Sequence, residues 1–181
     1  MKLPILACLL VAAPAMFIAA PAAAQEVFAG VYVHEVETPL TFAVNESGAD
    51  VELGYRFAPA EGLSFLGKPQ PYMLASINTA GDTSFVGGGL SWKVGKGPVY
   101  LRPGIGIIVH DGPSSRFDPA TGRRTDLGSR VLFEPEIAIG ARVSERVSVE
   151  ASGVHISQAQ IFNSQQNPGI DMMGVRLNLA M

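Results

Sequence analysis

From Val51 to Phe57 every second residue is apolar (Val51, Leu53, Tyr55, Phe57), while Glu52, Gly54, Arg56 and Ala58 take the positions between. A repeat of two is the period of a β-strand, whose successive side chains leave opposite faces. The same rhythm returns along the chain. Leu101, Ile105, Ile107 and Val109 alternate with Arg102, Gly104 and Gly106. Val131, Phe133, Ile137 and Ile139 alternate with Glu134, Glu136, Gly140 and Arg142. Met173, Val175, Leu177 and Leu179 alternate with Gly174, Arg176 and Asn178. Clusters of Gly, Pro, Asn and Asp separate these runs, and nothing beyond Gln25 carries a convincing helical period. Eight strands are expected, near 27–37, 49–58, 69–79, 83–94, 98–110, 129–142, 146–157 and 169–181.

The composition of the second face decides which side is the interior. It mixes opposite charges (Glu52, Arg56, Arg102, Glu134, Glu136, Arg142, Glu150, Arg176) with many glycines and alanines. A narrow eight-stranded lumen has room for only some side chains, so small residues between paired charges suit an inside. Glycine would only weaken a strand whose face met water. The apolar face is therefore expected to meet lipid, and strands of about 10 residues match a tilted bilayer crossing. Closure follows, because an open edge would strand backbone groups in hydrocarbon. The expected fold is all-β, an eight-stranded antiparallel transmembrane β-barrel of the bacterial outer membrane. Most of the longer connections (38–48, 111–128, 158–168) fall on one side, as outward loops do. Connection 59–68 is long for the other side. Tyr55, Phe57 and Trp92 would form an aromatic girdle at the periplasmic rim.

The first residues add an export signal to this picture. Met1-Lys2 is followed by an apolar run from Leu3 to Ala20 and then by Pro21-Ala22-Ala23-Ala24, the form of a signal peptide over 1–24 ahead of a barrel over 25–181. The single cysteine, Cys8, lies within that signal, so the exported chain is expected to carry neither a disulfide framework nor a thiolate metal site. Thirteen Lys and Arg against sixteen Asp and Glu, without a long basic run, give no reason to expect nucleic acid.

Candidate chemistry collects at the end of the seventh strand. His155 and Ser157 are two apart and leave one face. If the last two strands pair as a hairpin with 157 opposite 169, Asp171 lies beside His155. Nucleophile, base and orienting carboxylate would then converge. All three share parity with the lipid-facing residues Val149, Val175 and Leu177, where ionisable groups are expensive and point to function. A substrate met there would be a lipid ester. Elsewhere the signals are weaker. His34 and His110 have no partners at metal spacing. Arg116, Arg123 and Arg124 could hold phosphates but share their loop with Asp111, Asp118 and Asp126, which favours a solvated loop. Glu134 and Glu136 read as members of a lumen salt-bridge network with Arg102 and Arg142.

The run His155-Ile156-Ser157-Gln158-Ala159, followed by Asn167-Pro168-Gly169-Ile170-Asp171, resembles the lipid A 3-O-deacylase (PagL-like) family. In that family the pattern is His-x-Ser-Asn-Ala and then a Gly-Ile-Glu-like step into the last strand. The resemblance implies a serine esterase that removes an ester-linked 3-hydroxyacyl chain from lipid A of lipopolysaccharide, without cofactor or metal. It implies Ser157 as nucleophile, His155 as general base and Asp171 in the place of the family's glutamate. Gln158 stands where the family has an asparagine credited with binding the oxyanion. An outer-membrane phospholipase and a non-catalytic structural barrel stay open as alternatives, as does pairing into a homodimer.

Overall fold

The computed structural model describes residues 25–41, 44–95, 97–113, 115–163 and 167–181. The expected signal peptide lies outside the described residues. Eight strands, β1 (Glu26–Val33), β2 (Ala49–Arg56), β3 (Gln70–Asn78), β4 (Phe85–Ser91), β5 (Val99–His110), β6 (Val131–Arg142), β7 (Val147–Ile156) and β8 (Ile170–Ala180), form one antiparallel meander. β1 pairs β8, with Val31 opposite Val175, and closes the barrel.

The two faces divide as the alternation predicts. Val175 (60% exposed), Leu53, Ile105, Ile139 and Leu177 look outward, whereas Arg56, Arg102, Arg176, Glu134 and Glu150 are fully buried inside. The lumen holds a bonded network. Arg102 donates to Glu26 (2.7 Å) and Glu150 (2.8 Å), and Arg176 donates to Glu150 and Glu136 (both 2.9 Å). Glu134 accepts from the Tyr72 hydroxyl rather than from Arg102, and Arg142 sits exposed at the strand end outside the network. Space inside is tight. A Cβ at Gly54 would lie 2.1 Å from the Phe28 ring, so the absence of a side chain there is what admits the aromatic ring.

Two departures from the expected boundaries have local causes. β1 stops at Val33, four residues early, because Glu35 adopts a left-handed φ of 53° and turns the chain across the outer mouth of the barrel. Its carboxylate accepts the backbone N–H groups of Val44, Asn45 and Glu46, satisfying donors that no strand partner reaches. The long periplasmic connection contains a 3₁₀ helix, Glu61–Leu66, which ends at Gly67 with φ 84°. Trp92 donates its indole N–H to Leu66 O (2.7 Å), and Tyr55 packs edge-on against Phe57 (4.8 Å between centroids). The expected girdle residues therefore gather at that rim.

Candidate active site

β7 and β8 pair with His155 opposite Asp171 and Ile156 opposite Ile170, which is the hairpin register that the sequence suggests. Ser157 continues the strand past its last ladder pair. It is fixed by a reciprocal pair of backbone hydrogen bonds with Phe133 on β6, Ser157 N to Phe133 O (3.1 Å) and Phe133 N to Ser157 O (2.8 Å). The β6–β7 ladder ends at Glu136–Val154, and Phe133–Ser157 resumes the same register beyond it. Between them Pro135 faces His155. Proline has no N–H to give, so the ladder opens beside the histidine.

The three side chains meet. His155 Nε2 is 2.9 Å from Ser157 Oγ, and His155 Nδ1 is 2.7 Å from Asp171 Oδ1. Both separations are hydrogen bonds of good length. With Asp171 ionised, Nδ1 donates to the carboxylate and Nε2 is left to accept the Ser157 proton. Ser157 is 4% exposed and Asp171 equally covered, while the imidazole keeps about a fifth of its surface.

Two surroundings of this trio were not readable from the sequence. Asp171 Oδ2 accepts hydrogen bonds from the hydroxyls of Thr38 and Thr41 (3.1 Å for the latter), in the loop after β1. Gly169 packs against the site. A Cβ there would lie 2.9 Å from Ile156 O, 3.0 Å from His155 Cε1 and 3.2 Å from Ser157 Cβ. Gly169→Ala is accordingly expected to push the imidazole off the serine while the barrel stays folded. A displacement of about 1 Å can reduce turnover a hundredfold. Reaction of Ser157 with a small fluorophosphonate, measured beside heat-modifiable gel migration, would separate the two effects.

Gln158 is fully buried and engaged with the loop that follows. Its Oε1 accepts from Phe162 N (2.9 Å) and Asn163 N (2.7 Å), and its Nε2 donates to Asn163 O (2.7 Å). The side chain thus braces the turn in which Ala159 and Gln160 adopt left-handed φ values of 53° and 59°. The arginine loop is also occupied with structural bonds. Arg116 binds Glu46 Oε1 (2.8 Å) and Val44 O (2.9 Å), and Arg124 binds Asp126 (2.9 Å). His110 Nε2 meets Ser129 O (2.6 Å), and its Nδ1 accepts from Gly112 N. Among the described residues no cluster of His, Cys, Asp and Glu has the arrangement of a metal site.

Below His155 the outward face of β7 carries the small residues Gly153 and Ala151 before Val149. A Cβ at Gly153 would meet nothing within 4 Å. Ile137 and Ile139 on β6 and Met173 and Val175 on β8 stand on either side, each about half exposed. A shallow apolar trench therefore descends from the serine along the lipid face, roughly 20 Å at the strand rise of ~3.3 Å per residue.

Residues 36–180 match the sequence pattern of the lipid A 3-O-deacylase (PagL) family. The chain belongs to that family. Among solved structures, the outer membrane enzyme PagL superposes with a TM-score of 0.60 at 18% identity, over 86% of this chain and 99% of that one. Neisserial surface protein A (NspA) superposes at 0.55 with 8% identity, over 87% and 97%. At these identities the superpositions speak for the fold alone. No functionally curated protein matches the chain. The PagL-family member described here is thus an eight-stranded barrel of the outer membrane.

Proposed function

We propose that this PagL-family protein is a serine esterase that cleaves an ester-linked 3-hydroxyacyl chain from lipid A in the outer leaflet. The observation that carries the reading is the bonded series Ser157–His155–Asp171 on the lipid-facing wall, at the end bearing the long loops. His155 takes the Ser157 proton as Oγ attacks the ester carbonyl, and the C–O bond to the sugar breaks as His155 returns that proton to the leaving hydroxyl. Water then releases the fatty acid from the acyl-enzyme by the same steps. Asp171 holds the tautomer and stabilises the imidazolium. The Gln158 side chain is committed to bracing the loop, so charge on the tetrahedral oxygen falls to backbone amides of the turn after Ser157. The trench over Gly153 and Ala151 suits the departing chain, whose apolar surface would stay out of water throughout.

Mass spectrometry of lipid A from cells expressing the protein tests the reading. Loss of one 3-hydroxyacyl group is expected. Intact lipid A accompanied by new lysophospholipid would make the protein a phospholipase instead, and no lipid change from a folded barrel would leave it without enzymatic function.

A further inference from the structure

We propose that the segment crossing the barrel mouth after β1 is a positioning strap for the esterase site, with the Thr38 and Thr41 hydroxyls aiming the Asp171 carboxylate at His155. The inference rests on the esterase reading above. Asp171 presents Oδ1 to His155 and Oδ2 to both threonines, so its two oxygens have separate tasks. The Thr38 hydroxyl oxygen also accepts Leu40 N–H (3.0 Å), which leaves its proton free to point at the carboxylate. Val36 N donates to the Asp171 backbone carbonyl (2.8 Å), tying strap and strand together at the same residue. Without these bonds the Asp171 side chain could rotate about χ2 and lose the in-line contact with Nδ1.

The strap is itself anchored by buried charge. Glu35 caps the three N–H groups at Val44, Asn45 and Glu46. His34 is fully buried between Asp50 (2.7 Å) and Glu46 (2.9 Å), and Glu46 also accepts from the Thr83 hydroxyl (2.8 Å) and from Arg116. Burial opposes charging His34, yet its hydrogen bonds to the two carboxylates raise its pKa to about 9, so it bridges them as a cation at neutral pH. Both ends of the threonine-bearing stretch are fixed, and the hydroxyls reach Asp171 from a defined direction. Thr38 and Thr41 do not touch the reacting atoms. They act through Asp171.

The full-length protein carrying Thr38→Val with Thr41→Val, and separately Thr38→Ser, tests this. Two readouts are needed: deacylation of lipid A in mixed micelles across pH, and phosphonylation of Ser157 by a small fluorophosphonate. Heat-modifiable migration reports folding. The double variant is expected to lose roughly tenfold to a hundredfold in kcat, the usual range for hydrogen bonds to a charged group, with KM near wild type. The acid limb of its pH profile should move to higher pH, since a carboxylate stripped of donors pulls harder on the imidazolium proton. Phosphonylation should slow in parallel, and Thr38→Ser should stay close to wild type. A folded double variant with wild-type kcat and an unmoved profile overturns the proposal, as does a loss confined to KM. If the wild type leaves lipid A intact while Ser157 is phosphonylated at a rate the double variant slows, the deacylase reading fails and the strap's role stands.

Discussion

Ser157→Ala should give a folded, membrane-inserted barrel that removes no measurable acyl chain from lipid A, and Asp171→Asn should be nearly as inactive. Loss of Ser157 Oγ deletes the nucleophile and one hydrogen bond to His155. Stability should fall by only about 1 kcal/mol, while the rate drops by roughly 10⁴-fold or more. The asparagine variant fails for a subtler reason. Thr38 and Thr41 both donate toward Oδ2, so an amide at 171 gains by turning its oxygen to them and its NH₂ group to His155. An NH₂ at Nδ1 forces that nitrogen to accept. The ring proton must then sit on Nε2, which can no longer take the Ser157 proton. A wrong tautomer of this kind lowers turnover by about 10⁴-fold in serine hydrolases. Lipid A mass spectra, with Ser157 phosphonylation as a second measure, check both variants. A folded Ser157→Ala protein that still deacylates would remove the serine from the mechanism.

How the sequence could anticipate this site is a matter of contact range. Side-chain period and hairpin register are local properties, so His155, Ser157 and Asp171 could be placed on one face before any closure was known. The lumen was legible for the same reason. The alternation separated Arg56, Arg102 and Arg176 from Leu53, Leu101 and Leu177, and the glycines told which set had to fit inside. Partner identity was not legible, since Glu134 finds Tyr72 across the pore and Arg142 points to the rim. Thr38 and Thr41 lie more than a hundred residues from Asp171 in sequence, and only the β1–β8 seam brings them together. No periodicity announces such a contact. The early end of β1 escaped for a related reason, because the side-chain cap by Glu35 overrides an alternation that would otherwise run on to residue 37.

Arg176→Met is expected to cost the barrel more than any change at the active site. Arg176 is 1% exposed, with its guanidinium 2.9 Å from both Glu150 and Glu136, 3.3 Å from Glu52, and over the Phe28 ring (5.0 Å). Glu150 would keep Arg102, Glu136 would retain only the more distant Arg56 (3.9 Å), and Glu52 would be left with the Tyr32 hydroxyl (3.2 Å). Breaking a buried ion pair from one side costs about 3–5 kcal/mol. A fold commonly has only about 5–15 kcal/mol to lose. The urea midpoint in detergent should therefore fall steeply and the folded yield with it, read as the fraction of heat-modifiable protein. Replacing the stranded carboxylates as well, in Arg176→Met with Glu52→Gln and Glu136→Gln, should restore most of the loss, because the penalty comes from unpaired charge rather than from missing volume. If the triple variant is no more stable than Arg176→Met alone, packing against Phe28 rather than charge balance is what Arg176 supplies. Deacylation per folded molecule should remain in either case, since the network lies inside the wall and the triad outside it.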